Sequence, residues 1–535
     1  MNLFSEFMER YYDYLQNNCP DLDSDSLSRV ASSLESTCWD DPISAIDLNN
    51  FAVVALIEAE QTQDSSLREL YIGMALEALN QGLEEYRHPL CAAHLAIFLT
   101  MTGEREQAIE IIFPIFIDTI QYVYGSNIEK NTPGIVYLPR TSSSFQNTQN
   151  EELIRILQAE DGYTQSLLLL SETLCRTQLV FYNAMGLRLL HLAAQVFSDS
   201  ISINFKLGIS SLMNNQWEGL LYLHRVQKKA PEYAPIIQVI YLAYKNLKQI
   251  EIANLWLEVA RKLAQHSPNS IEWRWTKLEL DSLFTYVPFE SELLMAVEPS
   301  FHSLVTGVLI AEGDWFENEM ELWRSWIEPG MIVIDVGANV GVYTFSAARR
   351  VGPKGRVLAV EPFSGCVRCL QETCRINQLD WVKVCAGAAS DHEGTARLSL
   401  CTASELNEVV SGDAAEKMKP GSFEEVSCFP LDSLIEEESL SQVDFIKIDA
   451  EGHELSVLAG SDRILSEFAP VILYENIAGS KSSNLPVADH LKNRGYQLFR
   501  YQAYLQKLIP LSSDEDLQGN LNIIALPPNQ TFRAN

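Results

Sequence analysis

The sequence predicts two domains of different fold class, an α-helical domain over residues 1–290 and a Rossmann-like α/β domain over residues 291–535. In the first part, apolar residues recur at helical spacing and few segments resemble strands. In the second part, short runs rich in valine and isoleucine alternate with helical stretches, as in parallel sheets covered by helices on both faces. A chain of 535 residues is long enough for more than one hydrophobic core.

Two segments of the first part, residues 66–86 and 251–266, have the apolar spacing of amphipathic helices. Residues 124–150 lie between them and are rich in glycine, proline, serine and asparagine. Such residues favour turns, so this stretch is predicted to be a long loop or an insertion.

Residues 90–112, LCAAHLAIFLTMTGEREQAIEII, loosely resemble one tetratricopeptide repeat. In that resemblance Gly103 turns the chain and Ala108 lets the second helix approach closely. His94 falls inside the apolar pattern and is most simply a core or groove residue. Later helix pairs do not keep the period of the repeat, so a helical-hairpin array and a single helical bundle both remain open. Either would serve for protein docking, self-association or substrate recognition more often than for catalysis.

The charge balance is strongly acidic, with a formal net charge of −32. Such a surface repels phosphate backbones and anionic membranes, so nucleic acid is not an expected partner. The N-terminal segment does not resemble a secretory signal, and no run of about eighteen apolar residues could span a membrane. The ten cysteines follow no paired pattern, which favours a reducing compartment and a cytoplasmic protein.

The second part contains seven strand-like segments that are rich in β-branched and aromatic residues. They cover residues 331–337, 355–362, 381–390, 443–451, 470–476, 496–501 and 522–528. Helical stretches at 366–378 and 454–468 separate some of them. In parallel sheets of this kind, ligands bind at the carboxyl ends of the strands, so the turns after the strands are the first place to search for a site.

The first strand-to-helix turn lies in IDVGANVGVYT, residues 334–344. A dinucleotide-binding turn requires G-x-G-x-x-G, because the pyrophosphate must touch bare backbone. Here Asn339 stands where the middle glycine would be, and Tyr343, six positions after Gly337, would crowd a pyrophosphate. NAD and FAD are therefore disfavoured, and no P-loop motif is present.

The pattern D-x-G-x-N-x-G resembles the first motif of class I S-adenosylmethionine-dependent methyltransferases. The resemblance implies that Asp335 attracts the ammonium group of the cofactor. It also implies that Gly337 and Gly341 let the backbone close around the ligand, with Asn339 and Thr344 in the same cofactor-binding turn.

Two later strand ends extend this resemblance. Glu361 ends the second strand, where an acidic residue is expected to accept both ribose hydroxyls. Ser390 and Asp391 follow the third strand, where a polar side chain is expected to contact the adenine. A strand-ending acid is on its own more often a helix cap or a solvated group, so the prediction depends on all three positions occurring in order.

The stretch from residue 300 to 530 is similar to the FkbM family of methyltransferases. The resemblance rests on EPGMIVIDVGANVGVYTFSAARR, on the Glu361-Pro362 pair, on KIDAEGHE and on PVILYEN. It implies S-adenosylmethionine as cofactor and O-methylation of a sugar or secondary metabolite. It also places Glu317, in EGDWFENEMELW, near the mouth of the cofactor site.

The end of the fourth strand offers several groups that could take a proton during methyl transfer. These candidates are Asp449, Glu451, His453 and Glu454. Histidine has the pKa best matched to neutral pH, although a histidine that only caps the following helix is an equally good reading of His453.

A magnesium site is a second hypothesis for the same strand ends. Asp449 and the pair Glu475-Asn476 are placed as in magnesium-dependent enzymes similar to catechol O-methyltransferase. Hard oxygen ligands suit Mg²⁺, which would lower the pKa of a bound hydroxyl.

Two functions compete with O-methylation. The protein could methylate nitrogen in a peptide or an amino sugar, where no strong base is needed. Alternatively, it could be a helical interaction scaffold whose methyltransferase domain is vestigial. Nucleobase methylation is disfavoured, because the fourth strand is followed by Asp449-Ala-Glu-Gly and not by the proline-rich box that grips a flipped base.

Overall fold

The computed structural model forms two compact units, Met1–Ile240 and Tyr241–Asn535. The domain boundary at residue 290, which the composition suggests, stays a prediction. The residues that the structure describes are 3–102, 104–124, 132–139, 146–176, 184–290, 292–410, 418–419, 421–477, 483–503, 505–528 and 530.

The first unit is built from helices, which confirms the predicted helical class. They are α1 Leu3–Asn18, α2 Ser24–Ser36, α3 Ala45–Gln61, α4 Ser65–Glu84, α5 Pro89–Met101, α6 Arg105–Tyr124, α7 Gln146–Leu157, α8 Gly162–Arg176, α9 Ala184–Val196, α10 Ile201–Met213, α11 Gly219–Lys229 and α12 Ala234–Asn246, the last of which continues into the second unit. Neighbours in sequence pack as pairs, including α3 with α4, α5 with α6 and α10 with α11. Their tetratricopeptide character stays a prediction.

Local sequence explains where several of these helices begin. Ser44 precedes α3 and exchanges hydrogen bonds with Asp47, so that both side chains satisfy N–H groups which the first turn leaves unpaired. Between α10 and α11, a side chain on Gly219 would press on the main chain of Gly208, so the close approach of these two helices depends on small residues.

The predicted loop at 124–150 is only partly described, and Gly103 also lies outside the described residues. Residues 132–139 have no regular secondary structure, as a loop would. Unlike a surface loop, however, Gly134 and the five residues after it are buried.

The second unit begins with α13 Ile250–Ala264, a 3₁₀-helix at Ile271–Lys277, and α14 Leu304–Glu312 and α15 Glu319–Trp326. Its later helices are α16 Val342–Val351, α17 Ser364–Asn377, α18 Ser433–Glu437, α19 Glu454–Ala459 and α20 Leu485–Asn493. Its strands are β1 Thr285–Phe289, β2 Leu293–Val297, β3 Ile332–Val336, β4 Arg356–Glu361, β5 Val382–Ala386, β6 Ala388–Ala389, β7 Gly394–Ser399, β8 Glu408–Val410, β9 Phe423–Phe429, β10 Phe445–Ile448, β11 Val471–Glu475, β12 Gln497–Gln502, β13 Lys507–Pro510 and β14 Asn522–Leu526.

The main sheet has eight strands in the order β13-β12-β14-β11-β10-β3-β4-β5. The five strands from β11 to β5 are parallel, and β14, β12 and β13 pair antiparallel. Helices alternate with the parallel strands, so the predicted Rossmann-like fold class is confirmed.

The sheet also fixes where a ligand can bind. From β3 the chain continues to β4 on one side, and β10 later pairs on the other side. The turns after β3 and β10 therefore leave a crevice at the carboxyl ends of these neighbouring strands, which is the usual ligand position in open α/β sheets.

Two features of the second unit were not predicted. A hairpin of β1 and β2 precedes the sheet, and β6, β9, β7 and β8 form a separate four-stranded sheet.

The single helix expected at 454–468 is instead two short ones, since α19 ends at Ala459 and a π-helical turn follows at Ile464–Phe468. Gly460 separates them because it lies directly against the main-chain oxygen of Ser390, where a side chain would not fit.

Among the described residues, no helix combines the length and the apolarity that crossing a bilayer demands.

Candidate active site

The turn after β3 has a backbone that few residues other than glycine adopt. Gly337 and Gly341 have φ values of +72° and +102°, and Asn339 between them has +50°. A Cβ on Gly337 would collide with the main-chain oxygen of Asp449, and one on Gly341 would press on Phe345. The turn is therefore narrow, and it presents main-chain groups to the crevice.

Asp335 ends β3 with a buried carboxylate that is only half satisfied. Its Oδ2 accepts a hydrogen bond of 2.6 Å from the hydroxyl of Thr344. Its Oδ1 is buried and has no hydrogen-bond partner among the described residues. Burial raises the pKa of Asp335, while Lys447 and Thr344 oppose this shift. A buried acceptor without a donor is costly, and a cationic ligand would remove that cost.

Glu361 ends β4 and connects it to the glycine turn. Its Oε2 accepts a hydrogen bond from the main-chain N–H of Asn339, and its Oε1 accepts one from that of Phe363, both at 2.8 Å. Burial raises the pKa of Glu361 to about 7, although these two N–H groups oppose the shift. Each carboxylate oxygen keeps a further lone pair, so the group can still accept two hydroxyl donors.

Glu317 is held near the first turn of α16. It accepts a hydrogen bond of 2.6 Å from the hydroxyl of Tyr343 and one of 3.3 Å from the amide of Asn522. The structure therefore places Glu317 against the helix that follows the glycine turn, and its position at the mouth of a cofactor site stays a prediction.

Ser390 and His453 lie against each other, although they were predicted to have different roles. The hydroxyl of Ser390 is 3.1 Å from Nε2 of His453 and donates to Asp391 at 3.3 Å. Ser390 is buried, whereas Asp391 is exposed and pairs with His392. Burial lowers the pKa of His453. The imidazole thus stands with the polar groups that follow β5 and β6.

Lys447 lies on β10 in register with Asp335 on β3, so the two side chains share one face of the sheet. Its ammonium group is 2.8 Å from Oδ2 of Asp449 and 4.6 Å from the centre of the Tyr343 ring. Burial alone would lower the pKa of Lys447. The carboxylates around it, chiefly those of Asp449 and Asp335, have the larger effect, so the pKa of Lys447 is raised above its ordinary value. The lysine therefore stays charged and balances part of the acidic site.

Three carboxylates meet where β10 and β11 end. Oxygen atoms of Asp449, Glu451 and Glu475 all lie within 4.8 Å of one another. Burial raises the pKa of Glu475 to about 10, and the charges of Asp449 and Glu451 add to this shift. Acids this close cannot all stay ionised without a cation or a proton between them.

Asn476, also predicted as a metal ligand, has both ends of its side-chain amide engaged by main-chain groups. The nitrogen donates to the main-chain oxygens of Leu517 and Asn520, and Oδ1 accepts from the N–H of Asn484. The side chain is buried and braces the loops that follow β11. The carboxylate cluster also contains Glu451, which was predicted as a proton acceptor and not as a metal ligand.

Residues 335–498 match the family model of the methyltransferase FkbM domain.

Similar solved structures include the methyltransferase FkbM from Methylobacillus flagellatus KT, with 18% identity, 41% of this chain and 52% of that chain covered, and a TM-score of 0.26. A SAM-dependent methyltransferase from Aquifex aeolicus has 18% identity, coverages of 39% and 88%, and a TM-score of 0.22. An O-methyltransferase from Bacillus cereus in complex with SAH has 18% identity, coverages of 40% and 83%, and a TM-score of 0.23.

The chain spans about half the length of the Methylobacillus structure. The identities and TM-scores of all three are too low to carry an argument, and the Rossmann-like fold class rests on the strand order of the sheet. No curated protein matches the sequence significantly.

The region that matches the FkbM domain model contains one functional candidate that sequence reasoning missed, which is Lys447. It was visible as a charge inside the buried run FIKI, which is a signal for a paired lysine. Glu454, one of the predicted proton acceptors, is buried and accepts hydrogen bonds from the main-chain N–H groups of Ala450 and Gly452 and from the amide of Asn484. It therefore shapes the loop that carries Glu451.

Proposed function

We propose that the second unit binds S-adenosylmethionine at the ends of β3 and β4 and transfers its methyl group to a hydroxyl of a small molecule such as a sugar or a secondary metabolite. The observation that carries this proposal is the unpaired, buried Oδ1 of Asp335 beside the glycine turn. The ammonium of the cofactor is the donor that this atom lacks. The FkbM domain match over residues 335–498 supports the same cofactor.

The remaining cofactor contacts follow from the strand ends. Glu361 would accept the two ribose hydroxyls with the lone pairs that Asn339 and Phe363 leave free. Ser390 and Asp391 would bound the adenine. Thr344 and Glu317 would act through neighbours, since Thr344 orients Asp335 and Glu317 orients Tyr343.

Methyl transfer is an in-line displacement. A lone pair of the acceptor oxygen forms the new C–O bond, the C–S bond breaks, and its electron pair stays on sulfur to give S-adenosylhomocysteine. The hydroxyl proton must leave to a nearby base. We assign this role to Asp449, whose main chain packs on Gly337 and whose side chain is 35% exposed and therefore reachable by an acceptor.

The other predicted proton acceptors receive different weight. Glu451 lies within the same carboxylate cluster as Asp449 and can share the released proton. His453 contacts Ser390, so we assign it to the adenine end of the site, where it would orient the serine hydroxyl.

A magnesium ion at Asp449, Glu451 and Glu475 is a second proposal, and the proximity of their oxygens favours it. The oxygen-only ligand set fits Mg²⁺, which would lower the pKa of a bound hydroxyl. Asn476, also predicted as a ligand, has its amide engaged with main-chain groups. If the proposal is correct, EDTA will abolish methyl transfer and Mg²⁺ will restore it. Activity that EDTA leaves unchanged would exclude this ion.

Binding of S-adenosylhomocysteine, measured by isothermal titration calorimetry, tests the main proposal. We expect Asp335→Asn to weaken binding by about tenfold or more, because one charge-assisted hydrogen bond is lost. Asp380→Asn, at an exposed aspartate, is the matched control and should bind as the unmodified protein does. No binding to the unmodified protein would favour a scaffold with a vestigial domain.

The nature of the acceptor needs a separate test. Methylation of nitrogen in a peptide or an amino sugar needs no strong base, so it would survive both Asp449→Asn and His453→Ala. O-methylation should fall by about 100-fold in Asp449→Asn, within the usual range for loss of a general base.

All ten cysteines are unpaired in the structure, which supports our assignment of the protein to a reducing compartment such as the cytoplasm.

A further inference from the structure

A short segment of the first unit, residues 134–138, runs through the interior of the helical fold. We call it the buried segment. Ile135, Val136 and Tyr137 within it are fully buried. For Ile135 and Val136, no main-chain hydrogen bond to another main-chain group is found in the part of the chain that the structure describes. Side chains satisfy the N–H and C=O groups of both residues instead, which is unusual, since about two-thirds of protein hydrogen bonds join main chain to main chain.

Alternate residues of the buried segment each exchange two hydrogen bonds with one side chain. Gln165 binds the N–H and the C=O of Gly134 at 2.9 and 3.0 Å. The hydroxyl of Tyr11 does the same for Val136 at 3.0 and 2.9 Å, and that of Tyr14 for Leu138 at 2.9 and 3.0 Å. A period of two with paired bonds is the pattern of an antiparallel strand, so the segment is extended. Here side chains replace the neighbouring strand.

The residues between them use a second set of side chains. Ile135 donates to Asn50 and accepts from Asn49, both at 3.0 Å. Tyr137 donates to Nε2 of His94 at 3.1 Å. The six binding side chains come from four helices, namely α1, α3, α5 and α8.

Groups outside the segment hold these side chains in position. The amide of Asn50 donates to the hydroxyls of Ser33 and Thr37. Because Nε2 of His94 accepts from Tyr137, the ring proton must be on Nδ1, which donates towards Leu90 or Asn49. Burial lowers the pKa of His94 to about 3, so this neutral form persists. Asn50 and His94 thus have hydrogen-bond partners that do not depend on the segment.

We propose that the helical unit is a receptor for an extended peptide, recognised through its main chain, and that residues 134–138 occupy the receptor as a ligand in cis. The partner would be a protein segment that adds to this channel as a strand adds to a sheet edge. Without an occupant, the six side chains would be buried donors and acceptors with fewer partners, which is unfavourable. A channel that contains a peptide is therefore more stable than an empty one, so one peptide is more readily replaced by another than lost.

The side-chain requirements of such a partner are also visible. A Cβ on Gly134 would lie 2.9 Å from the amide nitrogen of Asn49 and 3.1 Å from both Asn50 Oδ1 and Leu90, so the partner needs glycine at this position. The following positions are apolar and enclosed, which favours aliphatic or aromatic residues over charged ones. The partner is therefore an uncharged strand that begins with glycine.

Hydrogen exchange of the unmodified protein gives the first test. A ligand in cis can leave its channel while the helices stay folded, so the amides of Ile135, Val136 and Tyr137 should exchange at least about tenfold faster than those of α3 and α5. If they exchange together with α3 and α5, the segment is an integral part of the core and the proposal is wrong.

A peptide in trans gives the second test. The probe is a fluorescent peptide TPGIVYLP, which copies residues 132–139. In the unmodified protein the cis segment competes at an effective concentration on the order of millimolar, so the peptide should bind weakly. Gly134→Val should expel the cis segment and tighten peptide binding by about 100-fold.

Matched controls separate exchange from damage. Gly73→Val alters an exposed helical glycine with open space around it and should bind the probe no better than the unmodified protein. A probe with valine in place of its glycine should not bind Gly134→Val. Equal binding of both probes, or no binding to a folded Gly134→Val, would refute the proposal. If Gly134→Val does not fold, the exchange experiment on the unmodified protein decides.

Discussion

The carboxylate of Glu361 accepts a hydrogen bond of 2.8 Å from the main-chain N–H of Asn339. This contact joins the end of β4 to the glycine turn after β3. The predicted ribose acceptor is thus hydrogen-bonded to the predicted cofactor turn. Asn339 has a φ of +50°, a conformation that asparagine tolerates better than most residues. Its role is therefore to direct an N–H towards Glu361, which a sequence pattern alone does not show.

Replacement of this carboxylate should affect both stability and binding. In Glu361→Gln the amide oxygen can accept only one of the two N–H bonds from Asn339 and Phe363, while the NH₂ group opposes the other. We expect a loss of about 1–3 kcal/mol in the free energy of unfolding. Affinity for S-adenosylhomocysteine should fall by about tenfold or more. Urea denaturation and calorimetry measure the two effects, and Glu328→Gln, at an exposed position, should show neither.

The pH dependence of binding should report the same group. Because burial raises the pKa of Glu361 to about 7, the acid is protonated below neutral pH in the unliganded protein. Ribose hydroxyls donate best to the ionised form, so the affinity for S-adenosylhomocysteine should rise with pH and level off above about 7. Glu361→Gln should flatten this part of the profile. A step of unchanged size in that variant would assign the titration to another group.

Stability of the unliganded protein should change with pH in the opposite direction. The pKa of Glu361 in the folded protein lies above the ordinary value of 4.5, so the folded state binds more protons than the unfolded state between these values. The stability contribution is therefore fully present at acid pH and is lost as the pH rises through about 7. The difference in unfolding free energy between unmodified protein and Glu361→Gln, measured from pH 5 to about 8, isolates this contribution.

The glycine turn can be tested with two matched substitutions. Gly337 and Gly330 have φ values of +72° and +91°, so alanine is strained at both. A Cβ on Gly330 meets open space, whereas one on Gly337 collides with the main chain of Asp449. Gly330→Ala should cost about 1 kcal/mol and leave cofactor binding intact. Gly337→Ala should cost more and abolish S-adenosylhomocysteine binding. Equal effects would mean that the contact with Asp449 relaxes freely.

Much of the second unit follows from sequence because its central strands are buried on both faces. β3, β4, β10 and β11 are mainly apolar and largely buried, and the turn after β3 needs residues that adopt positive φ. The four-stranded sheet was missed because its strands are partly exposed, as in β9, where buried and exposed positions mix without a clear apolar run. No local pattern marks such strands.

Contacts between distant residues set the limit for the candidate site. Ser390 and His453 are separated by 63 positions. The end of its own strand predicted a role for each residue, but no sequence pattern predicted that the two side chains would be in contact. The buried segment shows the same limit, since the glycine and proline residues in and beside it indicated a loop or an insertion. Its burial depends on Tyr11 and Tyr14, which lie more than 120 positions away.

The last prediction concerns the balance of charges at the proposed cofactor site. Lys447→Met removes the cation that lies 2.8 Å from Asp449 and leaves the carboxylates of Asp335 and Asp449 with less compensation. We expect a loss of about 1–3 kcal/mol in unfolding free energy, less than for a fully buried pair, because Asp449 is partly exposed to solvent.

Asp449→Asn alone should also destabilise the protein, since it leaves Lys447 buried with a weaker partner. In the double variant the two losses should not add, because the second change removes the group that the first left unpaired. Urea denaturation of all four proteins measures this coupling. Additive losses would show that the ion pair contributes nothing and that Lys447 is balanced by Asp335 instead.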